Sequence, residues 1–174
     1  VPLRMSDAPP PDTPANPPEG AAATATSEGL TLVIHTQYVK DLSFENPNAP
    51  AVLASMSEPP KIEIALDVGA RRFHERLFEL SLKARLQAKA GENLAFILEL
   101  EYGALASVEA SVEETAIEEL LVVDGARMVF PFLRRVISDC TRDGGFPPVL
   151  VNPVDFKQLH ERRKQQAAEA TAEA

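Results

Sequence analysis

Residues 78–102 read FELSLKARLQAKAGENLAFILELEY, and this stretch decides the fold. Phe78, Leu80, Leu82, Ala84, Leu86 and Ala88 alternate with Glu79, Ser81, Lys83, Arg85 and Gln87. A period of two sends successive side chains to opposite faces of a strand, so one face is apolar and the other wet. Ala90, Gly91, Glu92 and Asn93 supply a turn, after which Leu94, Phe96, Leu98, Leu100 and Tyr102 resume the alternation and leave Ile97, Glu99 and Glu101 outside. Two such strands joined by a tight turn form an antiparallel pair with one buried face.

Upstream, Ile62, Ile64, Leu66 and Val68 oppose Lys61, Glu63, Ala65 and Asp67 in the same way. Earlier still, Leu32, Ile34, Thr36 and Tyr38 are expected on one face, with Val33, His35, Gln37 and Val39 on the other. Four strands therefore precede Val108, and beyond it the period becomes helical. Ser111 with Glu114 has capping-box form, followed by Ile117, Leu120 and Leu121 at helical spacing. Asp124 and Gly125 are expected to interrupt that helix. A second helix should run from about Arg127 to Arg142, with Pro131 tolerated only near its start or at a kink and Gly144 and Gly145 closing it. A third should begin at Asp155 as N-cap, with Phe156 and Leu159 docking on the body. Sheet first and helices after gives the α+β class.

The second helix carries more apolar surface than one sheet can cover. Met128, Val129, Phe130, Phe132, Leu133, Val136, Ile137 and Cys140 spread over about 200° of its circumference, against roughly 100° for one-sided packing. Either another helix of the chain takes the excess or another copy does, and the reading favours a homo-oligomer.

Composition bounds the rest. The 174 residues are 45% hydrophobic and carry a net charge of -9, enough chain for one domain and the wrong sign for a nucleic-acid or anionic-membrane binder. No stretch is long and apolar enough for a membrane span, so a soluble cytosolic protein without membrane insertion is expected. Residues 1–29 hold seven of the 15 prolines and are expected to be a disordered Pro/Ala-rich arm, in which Met5 reads as a natural start. Residues 164–174, rich in Gln, Ala and Glu, are expected to be a flexible tail.

The chemistry-bearing residues are sparse. His35, His74 and His160 lie on different elements without metal-ligand spacing, and Cys140 reads as a small core hydrophobe, so neither a metal nor a cofactor is expected. There is no phosphate-cradling glycine loop and no nucleophile elbow. Glu99 and Glu101 share one strand face, open to acid–base work but beside Lys83 and Arg85, which favours a solvated or docking surface. Two Pro-rich loops, 46–60 and 146–156, carry Val52, Leu53, Met56 and Phe146, which we read as lining a groove for extended apolar peptides. The alternative is that both loops pack on their own body.

The run Lys40, Asp41, Leu42, Ser43, Phe44, Glu45, Asn46, Pro47, Asn48, Ala49, Pro50 closely resembles the opening signature of the SecB protein-export chaperones. Phe130, Pro131, Phe132, Leu133, Arg134 and then Gly145, Phe146, Pro147 with Pro153, Val154, Asp155, Phe156 are similar to further family motifs in the same order, so that residues 30–163 resemble a SecB-like chaperone domain. The resemblance implies a four-stranded antiparallel sheet with helices packed on one face, assembling into a homotetramer as a dimer of dimers. It implies a cytosolic holdase, not an enzyme, that keeps unfolded precursor proteins translocation-competent and delivers them to the SecA motor. Carried over by position, Asp41, Glu45, Ile97 and Glu99 would dock SecA, and Leu98, Leu100 and Tyr102 would influence assembly together with Phe130 and Phe132 on the helix. Two other readings stand beside it: a chaperone of the same fold dedicated to an antitoxin, and a small-molecule enzyme using Glu99 and Glu101.

Overall fold

The computed structural model describes residues 31–172, so the arm expected over residues 1–29 lies outside it, as do the last two residues of the expected tail. Four strands, β1 (Leu32–Glu45), β2 (Lys61–His74), β3 (Leu77–Ala90) and β4 (Asn93–Val108), form one antiparallel sheet in the order β1-β4-β3-β2. A short helix, α1 (Ala51–Ser55), follows β1, and α2 (Glu114–Glu119), α3 (Ala126–Asp143) and α4 (Phe156–Ala172) follow the sheet.

The β3–β4 hairpin is the spine. Its register pairs Leu80 with Ala104, Leu82 with Tyr102, Ala84 with Leu100 and Leu86 with Leu98, which places the apolar series from Phe78 to Ala88 and from Phe96 to Tyr102 on one face. A register shift beyond Ala88 leaves Ala95 as an extra residue of β4 and puts Leu94 opposite Lys89, correcting its expected place. Leu80, Leu86, Phe96 and Leu98 are fully buried there beneath Val129, Leu133 and Ile137 of α3. Burying each such side chain stabilises by roughly 1.5–3 kcal/mol, which fixes the helices on this face.

The first strand departs from simple alternation. Register shifts fall between Ile34 and Thr36 and between Val39 and Asp41, each adding one residue to β1 against β4. An extra residue reverses which side chains face inward. Thr36 and Tyr38 therefore lie on the outer face with Val33, and Gln37 and Val39 turn inward with Leu32 and Ile34, correcting the expected grouping.

Three other local expectations change. The 46–60 loop contains α1, a single turn held by Val52 N–H to Asn48 O (2.9 Å) and by burial of Val52 rather than by propensity. Helix α2 begins three residues after Ser111, whose hydroxyl donates to Glu109 Oε2 (3.0 Å), so the capping box does not form. Asp124 and Gly125 do not stop the helix: a π-helical segment, Leu120–Gly125, joins α2 directly to α3. Leu121, Val122 and Val123 are buried in that segment, and their packing outweighs the poor helix propensity of the Asp-Gly pair.

Other expectations hold. Gly144 and Gly145 end α3, whereas Pro131, in its second turn, lies well inside a continuous helical run, because the π-helical segment leads directly into α3. Phe146 N–H donates to Thr141 O (3.1 Å) and Gly145 N–H to Arg142 O (3.0 Å), the two bonds of a Schellman stop, with Gly145 at φ 87°. Asp155 caps α4 by accepting from Gln158 N–H (3.0 Å), and Phe156 meets Phe130 edge-on at 5.4 Å. Arg163 on α4 donates to Val68 O and pairs with Asp67 (3.0 Å), which ties the helix to the β2 edge.

Candidate docking and client-binding surfaces

The outer face of the sheet is polar. Because the second register shift omits Lys40, Asp41 lies opposite Glu101, Ser43 opposite Glu99 and Glu45 opposite Ile97. Opposed residues of an antiparallel pair point to the same side. The sheet thus brings together all four residues expected to dock SecA, Asp41, Glu45, Ile97 and Glu99, on two neighbouring strands of one face. Basic side chains of β3 reach toward them: Arg85 pairs with Glu99 (3.2 Å) and Lys83 with Glu101 (3.8 Å). A depression of about 360 Å³ crosses this face, lined by Asp41, Asp67, Lys83, Arg85, Glu99 and Glu101.

One residue of this face is not wet. Glu79 is only 7% exposed although it belongs to the polar series. Tyr38 donates its hydroxyl to Glu79 Oε1 (2.6 Å), Arg71 Nε donates to Oε2, and Lys40 Nζ stands 3.1 Å from Oε1 and 3.3 Å from Glu101 Oε1. The Tyr38 hydrogen bond, followed by those from Arg71 and Lys40, outweighs desolvation and holds the Glu79 carboxyl down to about 2. The same hydrogen bond raises the Tyr38 phenol, and Glu79 chiefly raises the Lys40 ammonium. Sequence periodicity placed Glu79 on the correct face, but nothing in the local pattern indicates that side chains from two other strands would cover it.

At the turn end of the β3–β4 hairpin, Val52, Met56 and Pro59 line a cleft of about 490 Å³ whose other walls are largely polar, with Ser55, Ser57, Glu58, Lys61, Lys89 and Asn93. Leu53 and Phe146, expected in the same groove, lie elsewhere: Leu53 sits against Gly145, and Phe146 is buried on Phe96 with ring centres 4.9 Å apart. Phe44 stacks on the other side of Phe96 at 5.4 Å, a member of this aromatic wall that the sequence reading missed. Val52 and Phe146 pack on their own body, while Leu53 and Met56 remain half-buried. The Phe146 loop is tied to α3 by the buried Thr141, whose hydroxyl donates to Ile137 O (3.0 Å) and accepts from Val149 N–H (3.0 Å).

Of the residues expected to govern assembly, Leu98, Leu100, Tyr102 and Phe130 are buried within the protomer itself. Phe132 is 41% exposed and its neighbour on α3, Met128, 49%. The helix does carry surplus apolar surface, although α4 of the same chain covers Phe130. Burial, then Asp139 and Asp143, push the Cys140 thiol up, so it is a poor nucleophile. No cluster of three or more metal-ligating side chains occurs among the described residues.

Comparison with known proteins completes the picture. The family model described as Preprotein translocase subunit SecB matches residues 25–167. The chain belongs to the SecB family. Among curated relatives, the protein-export protein SecB of Parvibaculum lavamentivorans is 44% identical over 155 residues, 89% of this chain and 92% of the relative. That of Maricaulis maris is 45% identical over 161 residues, 92% and 90% respectively. In fold, the chain resembles the Mycobacterium tuberculosis SecB-like chaperone solved with a ChAD peptide from an antitoxin (TM-score 0.60, 12% identity, covering 71% of this chain and 91% of that one). SecB proteins are chaperones, not enzymes, so the acid–base reading of Glu99 and Glu101 falls away. No helix among the described residues is long and apolar enough to cross a membrane.

Proposed function

We propose that this SecB protein is a cytosolic holdase that binds unfolded precursors along its apolar side and presents its outer sheet face to the SecA motor. The observation that carries the reading is the convergence of Asp41, Glu45, Ile97 and Glu99 on one polar face, away from the aromatic wall. Holding a client needs no catalytic group. Burying three or four client side chains yields roughly 1.5–3 kcal/mol each, reduced by the cost of ordering the segment. Folded clients hide those side chains, so unfolded chains are selected.

The client contacts are the two half-buried side chains, Met56 at the cleft and Leu53 beside Gly145, with the buried Val52 and Phe146 supporting them from the body. Assembly into a homotetramer, a dimer of dimers, draws on Met128 and Phe132, which one protomer leaves uncovered. Leu98, Leu100, Tyr102 and Phe130 act on assembly from beneath, by setting the helix positions. Four subunits sharing one client raise the effective concentration of binding sites. An unfolded precursor titrated against Leu53→Asp and Met56→Asp should bind at least tenfold more weakly than to the parent; equal affinity would remove these residues from the groove.

A further inference from the structure

We propose that Glu79 is a positioning residue: by holding Tyr38 and Lys40 it pins the β1 bulge that turns Asp41 and Glu45 onto the docking face. The inference rests on the SecA-docking reading above and adds the device that presents the site.

In a regular strand Tyr38 would share its face with residues 40, 42 and 44, and Asp41 and Glu45 would lie on the opposite, helix-side face with Val39. The extra residue at the register shift, Lys40, reverses this, so that Leu42 and Phe44 face inward and Asp41, Ser43 and Glu45 face out. A one-residue slip flips every side chain beyond it. The position of the bulge therefore decides which residues a partner meets.

Glu79 holds the bulge from a distance. It stands on β3, two strands from β1 and about 9–10 Å away at ordinary strand spacing. Tyr38 and Lys40, the bulge residue and the one two before it, both reach it across β4. They pass where β4 carries Gly103, opposite Tyr38; a Cβ there would stand 2.6 Å from the Tyr38 ring. Lys40 also meets Glu101, the residue opposite Asp41, so one ammonium links the two strands at the bulge. Arg71 on β2 braces Glu79 from the other side. The Phe44–Phe96 stack secures β1 between Asp41 and Glu45, and the Glu79 cluster secures it before them.

The test uses the full-length protein, purified SecA and two readouts: affinity by titration and backbone amide exchange over residues 38–45. Tyr38→Phe removes one oxygen and serves if Glu79→Gln fails to fold. Both variants should speed exchange around residue 40 about tenfold and weaken SecA binding about five- to tenfold. Val129→Ala, a core variant remote from β1, should lower the melting temperature while SecA affinity stays within twofold. Unchanged affinity in Tyr38→Phe and Glu79→Gln would overturn the positioning role, as would equal weakening by Val129→Ala. A parent protein with no affinity for SecA would overturn the docking reading and this proposal with it.

Discussion

On the inner face of β3 and β4, Leu80, Leu86, Phe96 and Leu98 are sealed under α3, whereas on the outer face of the same strands Lys83, Arg85 and Glu99 stay in water, Arg85 pairing with Glu99 and Lys83 with Glu101. The backbone is shared; the energetics are not. Inner contacts are close-packed and each lost methylene is felt, while exposed ion pairs contribute little and are free to exchange partners. A sheet built this way keeps its fold on one side and leaves the other to evolve for recognition. Glu79 breaks the pattern by being an outer-face residue with inner-face burial.

The contrast can be tested from its strong end downward. Leu98→Ala on the inner face should cost about 2–5 kcal/mol, read as a lower urea midpoint, and a cost below 1 kcal/mol would deny that the hairpin is the core. Glu79 should behave like a buried group. With its carboxyl held at about 2 against the usual 4.5, its contribution is full above pH 4.5 and is lost as the pH falls toward 2. Chemical denaturation across that window should show an acid-side loss on the order of 2–3 kcal/mol that Glu79→Gln abolishes. Thr141→Val, which strips the Val149 N–H of its partner, should cost about 1–3 kcal/mol and loosen the Phe146 loop, visible as faster exchange at Val149. Arg85→Ala should move stability by less than about 1 kcal/mol, because both partners are exposed.

Much of this was legible in residues 78–102, where side-chain chemistry alternates from Phe78 to Ala88 and, apart from Ile97, from Phe96 to Tyr102. The bulge at Ala95, which displaces Leu94, lies in a continuous apolar run and was not legible. The helix stop at Gly144–Gly145 and the cap at Asp155 were legible because they are local chemistry. The β1 bulges were not, since the extra residues at His35 and Lys40 carry no sequence mark and are settled by pairing with β4. The helix running through Asp124–Gly125 was misread for the same reason: burial of Val122 and Val123 decides it, and burial is a property of the whole fold. Of the candidate site, strand alternation put Ile97 and Glu99 on the outer face, whereas Asp41 and Glu45 came from the motif alone and reach that face only through the β1 bulge. The four groove residues were grouped by sequence composition, and the fold divides them between a cleft and an aromatic wall.

The most direct test of the two-sided account is the mass of complexes formed by the intact protein, SecA and an unfolded precursor. The parent should give a ternary complex, and the Asp41→Lys, Glu99→Lys double variant should lose SecA while retaining the precursor. A variant that loses both ligands together, or neither, would contradict the division of labour between the faces.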